Sequence, residues 1–319
     1  MNFLLPFILG LITLVIASKF LIKFTNGFSS SIRISPLVIA ATAVAVGTSM
    51  PELFVSFSSI LQKVSTLSTG DIIGSNIANV SLILGINILL FPIRIGTKKT
   101  QRNNIILILL TALFIASYFF PPEIKKNISF CLLAFYSIFF FLEILWGEEG
   151  SKHEDKKALK KMKKSKLSPG ANLLGMGLSI AVLGVSSKYV VSSAVAIANF
   201  FNVANEIIGL SIVAIGTSLP ELVTSFMAGL KKEWKLLFGD IQGSNIFNLA
   251  VIGTILSFFG QKQTFVSQNL TLFFLSLTSI TIFLLTRYYV GRSIPRIFGL
   301  VLLIIYISYL FLLTRPQFL

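Results

Sequence analysis

Apolar and polar positions alternate along this chain in long blocks. Ten apolar blocks lie near 2–22, 36–61, 68–92, 104–120, 127–146, 170–191, 204–230, 236–260, 267–286 and 294–314. Each is long enough to hold a membrane-crossing helix, which needs about 20 residues. Short segments separate them, and only one sizeable hydrophilic stretch, "GEEGSKHEDKKALKKMKKSKLSPG", interrupts the series. The pattern predicts a first set of five helices over 1–146, a basic loop over 147–169 and a second set of five over 170–319. The expected fold is an all-α, multi-pass membrane protein with ten transmembrane helices.

Composition agrees: 54% of the 319 residues are hydrophobic and 12% are charged, against about 25% charged in a soluble domain. The net charge of +15 could suggest a nucleic-acid partner. Its distribution argues otherwise, because 21 of the 27 Lys and Arg fall on one side of the predicted membrane. That asymmetry is a topology signal. It places the basic loops, 147–169 included, in the cytoplasm and both termini outside. A single cysteine, Cys131, leaves no intrachain disulfide or cysteine metal cluster to form. The N-terminal apolar run lacks a basic n-region and reads as a retained first helix.

A repeat underlies the blocks. At an offset of 169 residues, "GTSMPELFVS" (47–56) faces "GTSLPELVTS" (216–225) with seven of ten residues identical. "GDIIGSNIAN" (70–79) faces "GDIQGSNIFN" (239–248) with eight of ten identical. Five helices per half is an odd number, so the second half enters the membrane from the opposite side. Two inverted-topology repeats with discontinuous second and seventh helices are expected, an architecture of secondary transporters.

The motif has a chemical logic. Pro51 and Pro220 lack an N–H and crowd the carbonyl four residues earlier, so the Gly47 and Gly216 carbonyls should leave the helical ladder. A free carbonyl in hydrocarbon needs a partner, and a hard cation is one. Thr48, Ser49, Thr217 and Ser218 add hydroxyls at the same level. Of twelve acidic residues, Glu52 and Glu221 alone fall well inside predicted spans, with no basic partner at matching depth. They call for a cation or a proton, and a divalent ion such as calcium would neutralise both. Asp71 and Asp240 stand near predicted helix starts and read as caps or first-turn acids. Ser75 and Asn79, like Ser244 and Asn248, are four apart and share a helix face.

The pattern GTSxPE followed by GSNxxN, once in each half, resembles the alpha-repeats of the cation/calcium antiporter superfamily. Its sodium/calcium exchanger branch, of compact prokaryotic type, is the most similar. The resemblance implies a carrier and not an enzyme, one that exchanges Na⁺ for Ca²⁺ by alternating access. It implies that Glu52 and Glu221 bind Ca²⁺ and share the Na⁺ sites, with Thr48 and Thr217 giving backbone and hydroxyl oxygens. It adds the Ala45 and Ala214 carbonyls as Na⁺ ligands, the hydroxyls of Ser49, Ser75, Ser218 and Ser244, and Asn79. Asn248 stands where many prokaryotic and potassium-dependent relatives have Asp, which points to exchange independent of K⁺. Exchange of a divalent cation for H⁺ is the alternative, although that branch usually has a different motif. The first and sixth helices are implied to slide against the rest. The transported ions and the lipid bilayer are the only partners implied, with no cofactor and no protein partner. A prokaryotic plasma membrane is the expected location.

Overall fold

The computed structural model describes residues 3–31, 45–94, 98–151, 167–232, 234–260 and 268–315. Among them the regular structure is helical, with short turns between helices and one isolated bridge between Arg94 and Ser293. In chain order the helices are α1 (Leu4–Ser31), α2 (Ala45–Thr48), α3 (Met50–Leu61), α4 (Ser65–Ala78), α5 (Leu84–Leu90), α6 (Lys98–Ser117), α7 (Pro122–Ser151), α8 (Pro169–Phe201), α9 (Asn205–Ile208), α10 (Ala214–Thr217), α11 (Leu219–Leu230), α12 (Trp234–Phe247), α13 (Gly253–Phe259), α14 (Gln268–Tyr288) and α15 (Ile297–Leu313). Short π-helical turns at Asn79–Ile83, Gly209–Val213 and Asn248–Ile252 join α4 to α5, α9 to α10 and α12 to α13.

Seven of these helical stretches are long and apolar enough to cross a membrane. An eighth qualifies if Asn205–Thr217 and Leu219–Leu230, bent by 42° at their junction, count as one span. Helices α3 and α15 are apolar but shorter, at 12 and 17 residues. Residues 36–44, the start of the predicted second span, lie outside the described residues, as do 152–166 of the predicted loop.

Three helices run well past the C-terminal ends of their predicted blocks, and α6 and α7 begin at Lys98 and Pro122, before the predicted 104 and 127. Helix α1 continues to Ser31 and α8 to Phe201, well past the predicted 22 and 191. At 28 and 33 residues they are about 42 and 50 Å long, more than the roughly 30 Å of a bilayer core, so they must tilt or project. Helix α7 runs on through Ser151 into the predicted loop. Hydrophobicity alone missed this, because elongating an existing helix through Glu-containing sequence is easy once the nucleus has formed. The start of α8 has a local cause: Ser168 Oγ accepts the Ala171 N–H at 3.2 Å, and Pro169 follows it.

Packing gathers the described apolar residues into two large clusters and a small third one of Ile72, Phe247 and Ile252. Helices α1 and α8 lie side by side. Leu14, Leu183, Val190 and Ala194 are buried in that cluster, while Ile8, Ile12, Leu174 and Leu178 face outward, as lipid contact requires. The larger cluster gathers Ile73, Ile77 and Leu84 with Leu237, Ile241, Leu249, Phe274 and Leu302. Helix α4 packs against the α9–α10 segment, and α12 packs against α2, so each half's motif helix meets the other's broken helix. The repeat is visible in the backbone: Lys63 and Lys232, 169 positions apart, both have φ of 60°. Each is the left-handed residue that closes a helix, α3 in one half and α11 in the other.

Candidate functional site

The breaks fall at serines. Ser49 (φ −84°, ψ 11°) separates α2 from α3, and Ser218 (φ −80°, ψ 8°) separates α10 from α11. Pro51 and Pro220 occupy the second position of the new helices, where a missing N–H costs nothing. The freed Gly47 carbonyl does not wait for a cation, as the sequence suggested. Ser18 Oγ of α1 donates to it at 2.5 Å, so the protein satisfies that acceptor itself.

Past each break, the two halves exchange hydrogen bonds. Ser49 Oγ donates to Glu221 Oε1 at 3.0 Å, and Ser218 Oγ donates to Glu52 Oε1 at 3.3 Å. Ser244 Oγ also donates to Glu221 Oε1, at 3.2 Å. Thr48 Oγ1 lies 3.3 Å from Ser244 Oγ, and Thr217 Oγ1 lies 3.4 Å from Ser75 Oγ. Ser75 Oγ is also 3.5 Å from the Ala214 carbonyl. Close helix contact makes this possible: a Cβ on Gly74 would stand 2.5 Å from the Leu210 carbonyl and 2.7 Å from Ala214 Cβ.

The side chains of Thr48, Ser49, Glu52, Ser75, Thr217, Ser218, Glu221 and Ser244 are all buried. Each glutamate keeps its second oxygen, Glu52 Oε2 and Glu221 Oε2, buried without a hydrogen-bond partner. Ala214 is buried at the start of α10, and Ala45 is the first residue of α2. Asn79 and Asn248 open two of the π-helical turns. Asn79 Nδ2 donates to Asn245 Oδ1 at 2.9 Å and leaves Oδ1 without a partner; both polar atoms of Asn248 are without one. Asn245 Nδ2 bonds the Asn76 carbonyl at 3.2 Å, so Asn245 serves as a tie between the halves.

The aspartates correct the sequence reading. Helix α4 begins at Ser65 and α12 at Trp234, so Asp71 and Asp240 sit nearly two turns inside and are not caps. They are as buried as the glutamates, at 0% and 2% exposure. Thr217 Oγ1 donates to Asp71 Oδ1 at 2.9 Å, and Thr48 Oγ1 donates to Asp240 Oδ1 at 3.2 Å. Tertiary packing draws the residues before Asp71 into the helix: Leu67 is fully buried and Ser68 Oγ bonds Ser56 Oγ at 2.5 Å. A sequence signal existed, since Asp71, Ser75 and Asn79 follow one another at steps of four on one helix face.

Among the described residues, no group of three or more His, Cys, Asp or Glu is placed to chelate a metal. The geometry offers carboxylates set among hydroxyls and carbonyls, an all-oxygen environment suited to hard cations.

An all-helical membrane protein with buried, unpartnered carboxylate oxygens where two repeated motifs meet is the class that fold and geometry define. The family model described as "Sodium/calcium exchanger protein" matches residues 2–145 and 171–315, and the chain belongs to that family. It is 31% identical over 315 residues to CaxA of Alkalimonas amylolytica, covering 96% of this chain and 97% of that one. It is 29% identical to the sodium/calcium exchanger MaX1 of Methanosarcina acetivorans, over 98% of both chains. Among solved structures, the sodium-calcium exchanger NCX_Mj soaked with Na⁺ and Ca²⁺ superposes with a TM-score of 0.64 at 26% identity, over 97% of both chains.

Proposed function

We propose that this chain is a secondary antiporter that exchanges Na⁺ for Ca²⁺ across a membrane by alternating access, independently of K⁺. The crossed bonding carries the reading: each half's serine holds one oxygen of the other half's glutamate, and the remaining oxygens, Glu52 Oε2 and Glu221 Oε2, have no partner. These two free oxygens, one from each half, offer a divalent cation a carboxylate ligand on either side. Ca²⁺ is taken to bridge Glu52 and Glu221 in one loaded state. In the other, Na⁺ ions share those glutamates with the oxygens of Thr48, Thr217, Ser49, Ser75, Ser218 and Ser244, the Asn79 and Asn248 amides and the Ala45 and Ala214 carbonyls. Closing the site with neither load would bury bare charge, and that penalty couples the two fluxes.

The architecture belongs to the same proposal: ten spans as two inverted five-helix repeats, 1–146 and 170–319, joined by a cytoplasmic loop over 147–169, with both termini outside. Helices α1 and α8 meet the motif helices through an apolar cluster that includes Val55, Leu67, Ile208 and Val213 and is separate from the larger one, which supports the idea that this pair moves against the rest. The names of MaX1 and NCX_Mj support Na⁺ and Ca²⁺ as the ions, in a prokaryotic plasma membrane. The neutral Asn248 supports independence from K⁺.

The test is radiolabelled Ca²⁺ uptake into proteoliposomes loaded with Na⁺ and diluted into Na⁺-free buffer. Choline-loaded vesicles, with and without an outward proton gradient, run alongside. Uptake only in the Na⁺-loaded set, unchanged by K⁺, is the expected result. Uptake driven by protons would move the protein to divalent cation/H⁺ exchange, and uptake without any gradient would make it a channel.

A further inference from the structure

Two buried aspartates lie just behind the proposed cation ligands, and each touches the other half's threonine. Thr217 Oγ1 has four acceptors in reach: Asp71 Oδ1 at 2.9 Å, the Val213 carbonyl at 3.1 Å, the Ala214 carbonyl at 3.3 Å and Ser75 Oγ at 3.4 Å. A hydroxyl has one proton to give. The aspartate oxygen is the nearest of the four and, when ionised, the strongest acceptor. Across the pseudo-symmetry, Thr48 Oγ1 donates to Asp240 Oδ1 at 3.2 Å. Asp71 Oδ2 and Asp240 Oδ2 remain buried without a partner.

Where that proton points matters to a cation. A hydroxyl ligates through its lone pairs, so a proton turned into the site would repel the ion. A threonine inside a helix ordinarily bonds back to a carbonyl of the preceding turn. For Thr217 that would occupy the Val213 or the Ala214 carbonyl, and the Ala214 oxygen already accepts the Ser218 N–H at 3.1 Å. A carboxylate that draws the proton outward leaves the Thr217 oxygen facing the site and spares the Ala214 carbonyl a further donor beyond the Ser218 N–H and Ser75 Oγ.

We infer that Asp71 and Asp240 are positioning residues for cation selectivity: each holds the hydroxyl proton of the opposite half's threonine, Thr217 or Thr48, so that the threonine oxygen faces the transported ion. The inference rests on the Na⁺/Ca²⁺ reading and deepens it. Na⁺ should feel the loss more than Ca²⁺. A monovalent ion draws a larger share of its binding from neutral oxygens, whereas a divalent ion is held chiefly by the charges of Glu52 and Glu221.

The experiment is a double-substitution cycle on the full chain in proteoliposomes, with half-saturating Na⁺ and Ca²⁺ measured separately. Asp71→Asn is expected to raise half-saturating Na⁺ about tenfold and Ca²⁺ less than about threefold, the range of a lost charge-assisted hydrogen bond. In a Thr217→Val background, which has no hydroxyl to orient, Asp71→Asn should change Na⁺ by less than about twofold. Thr217→Ser should retain the full response. An Asp71→Asn effect that survives in Thr217→Val, or that falls equally on both ions, overturns the inference and makes the aspartate a direct ligand or a packing residue. If Asp71→Asn does not fold, Asp240→Asn with Thr48→Val gives the same test in the other half. Failure of the unaltered chain to exchange would sink the Na⁺/Ca²⁺ reading instead, and the cycle is then read from the rise in melting temperature that Na⁺ produces.

Discussion

A buried carboxylate must find a partner, and Glu52 and Glu221 each find only half of one. One oxygen of each takes a serine from across the repeat, while the other has none. Glu52→Gln keeps the shape and removes the charge that a cation would answer. It is expected to lower Ca²⁺ exchange by at least about a hundredfold, the loss from removing one side of a buried charge pair. Unchanged gel-filtration behaviour would show that the protein still folds, and an active variant would remove Glu52 from the site. Asn248 tests the opposite change. It sits fully buried with both polar atoms unpartnered, so Asn248→Asp should tighten Na⁺ binding. A fall in half-saturating Na⁺ of about tenfold is expected, and titration of exchange against Na⁺ would show it. Of the residues discussed here, the glutamates and motif hydroxyls could be read from the chain itself, because their types are out of place in an apolar span. Asp71 and Asp240 read as acids near helix starts, and only their four-residue spacing to Ser75 and Ser244 hinted at the site. Their depth follows from packing of α4 and α12, which no local pattern records.

At the level of elements, the broken helices work because neighbouring helices come close enough to reach the breaks. Gly209, in the π-helical turn between α9 and α10, lies against the backbone of α4. A Cβ there would collide with the Leu67 carbonyl oxygen and stand 3.0 Å from the Asp71 nitrogen, and neither backbone atom can swing aside. Gly209→Ala is therefore expected to destabilise by about 1–3 kcal/mol, as overpacking does. It should lower the melting temperature in detergent. Gly177→Ala, on α8 with nothing within 4 Å, is the control and should be neutral or slightly stabilising. Equal loss in both variants would mean that close approach at Gly209 is not what joins α4 to the broken helix. The duplication pairs Gly74 with Gly243 but sets Gly209 opposite Ala40, so it does not record this contact. It did not announce that Ser18 of α1 would cap the carbonyl released by Pro51, a bond spanning 29 residues.

For the whole molecule, charge asymmetry sets the expected orientation and the repeat sets the expected symmetry. With Cys131 replaced by serine, a cysteine introduced at position 155 should react with an impermeant thiol reagent only after cells are opened. One appended at the C-terminus should react in intact cells. The reverse pattern would invert the topology and, with it, the side from which Ca²⁺ is loaded. Helices α1 and α8 meet the motif helices through one apolar cluster that takes in Val55, Leu67, Ile208 and Val213 and is separate from the larger cluster, so motion of the pair would leave the larger core intact.

The sequence by itself determined the membrane class, the duplication, the motif pairs and the family resemblance. Hydropathy, charge asymmetry and a proline next to a glutamate are each local or periodic properties, readable one segment at a time. Tertiary structure alone decided that each serine serves the other half's glutamate, that the aspartates stand behind the threonines, and that α1, α7 and α8 outrun their apolar blocks. Those features depend on which helices touch and at what register. Such long-range contacts are fixed by packing and by the need to satisfy every buried polar group, and not by any stretch of chain read alone.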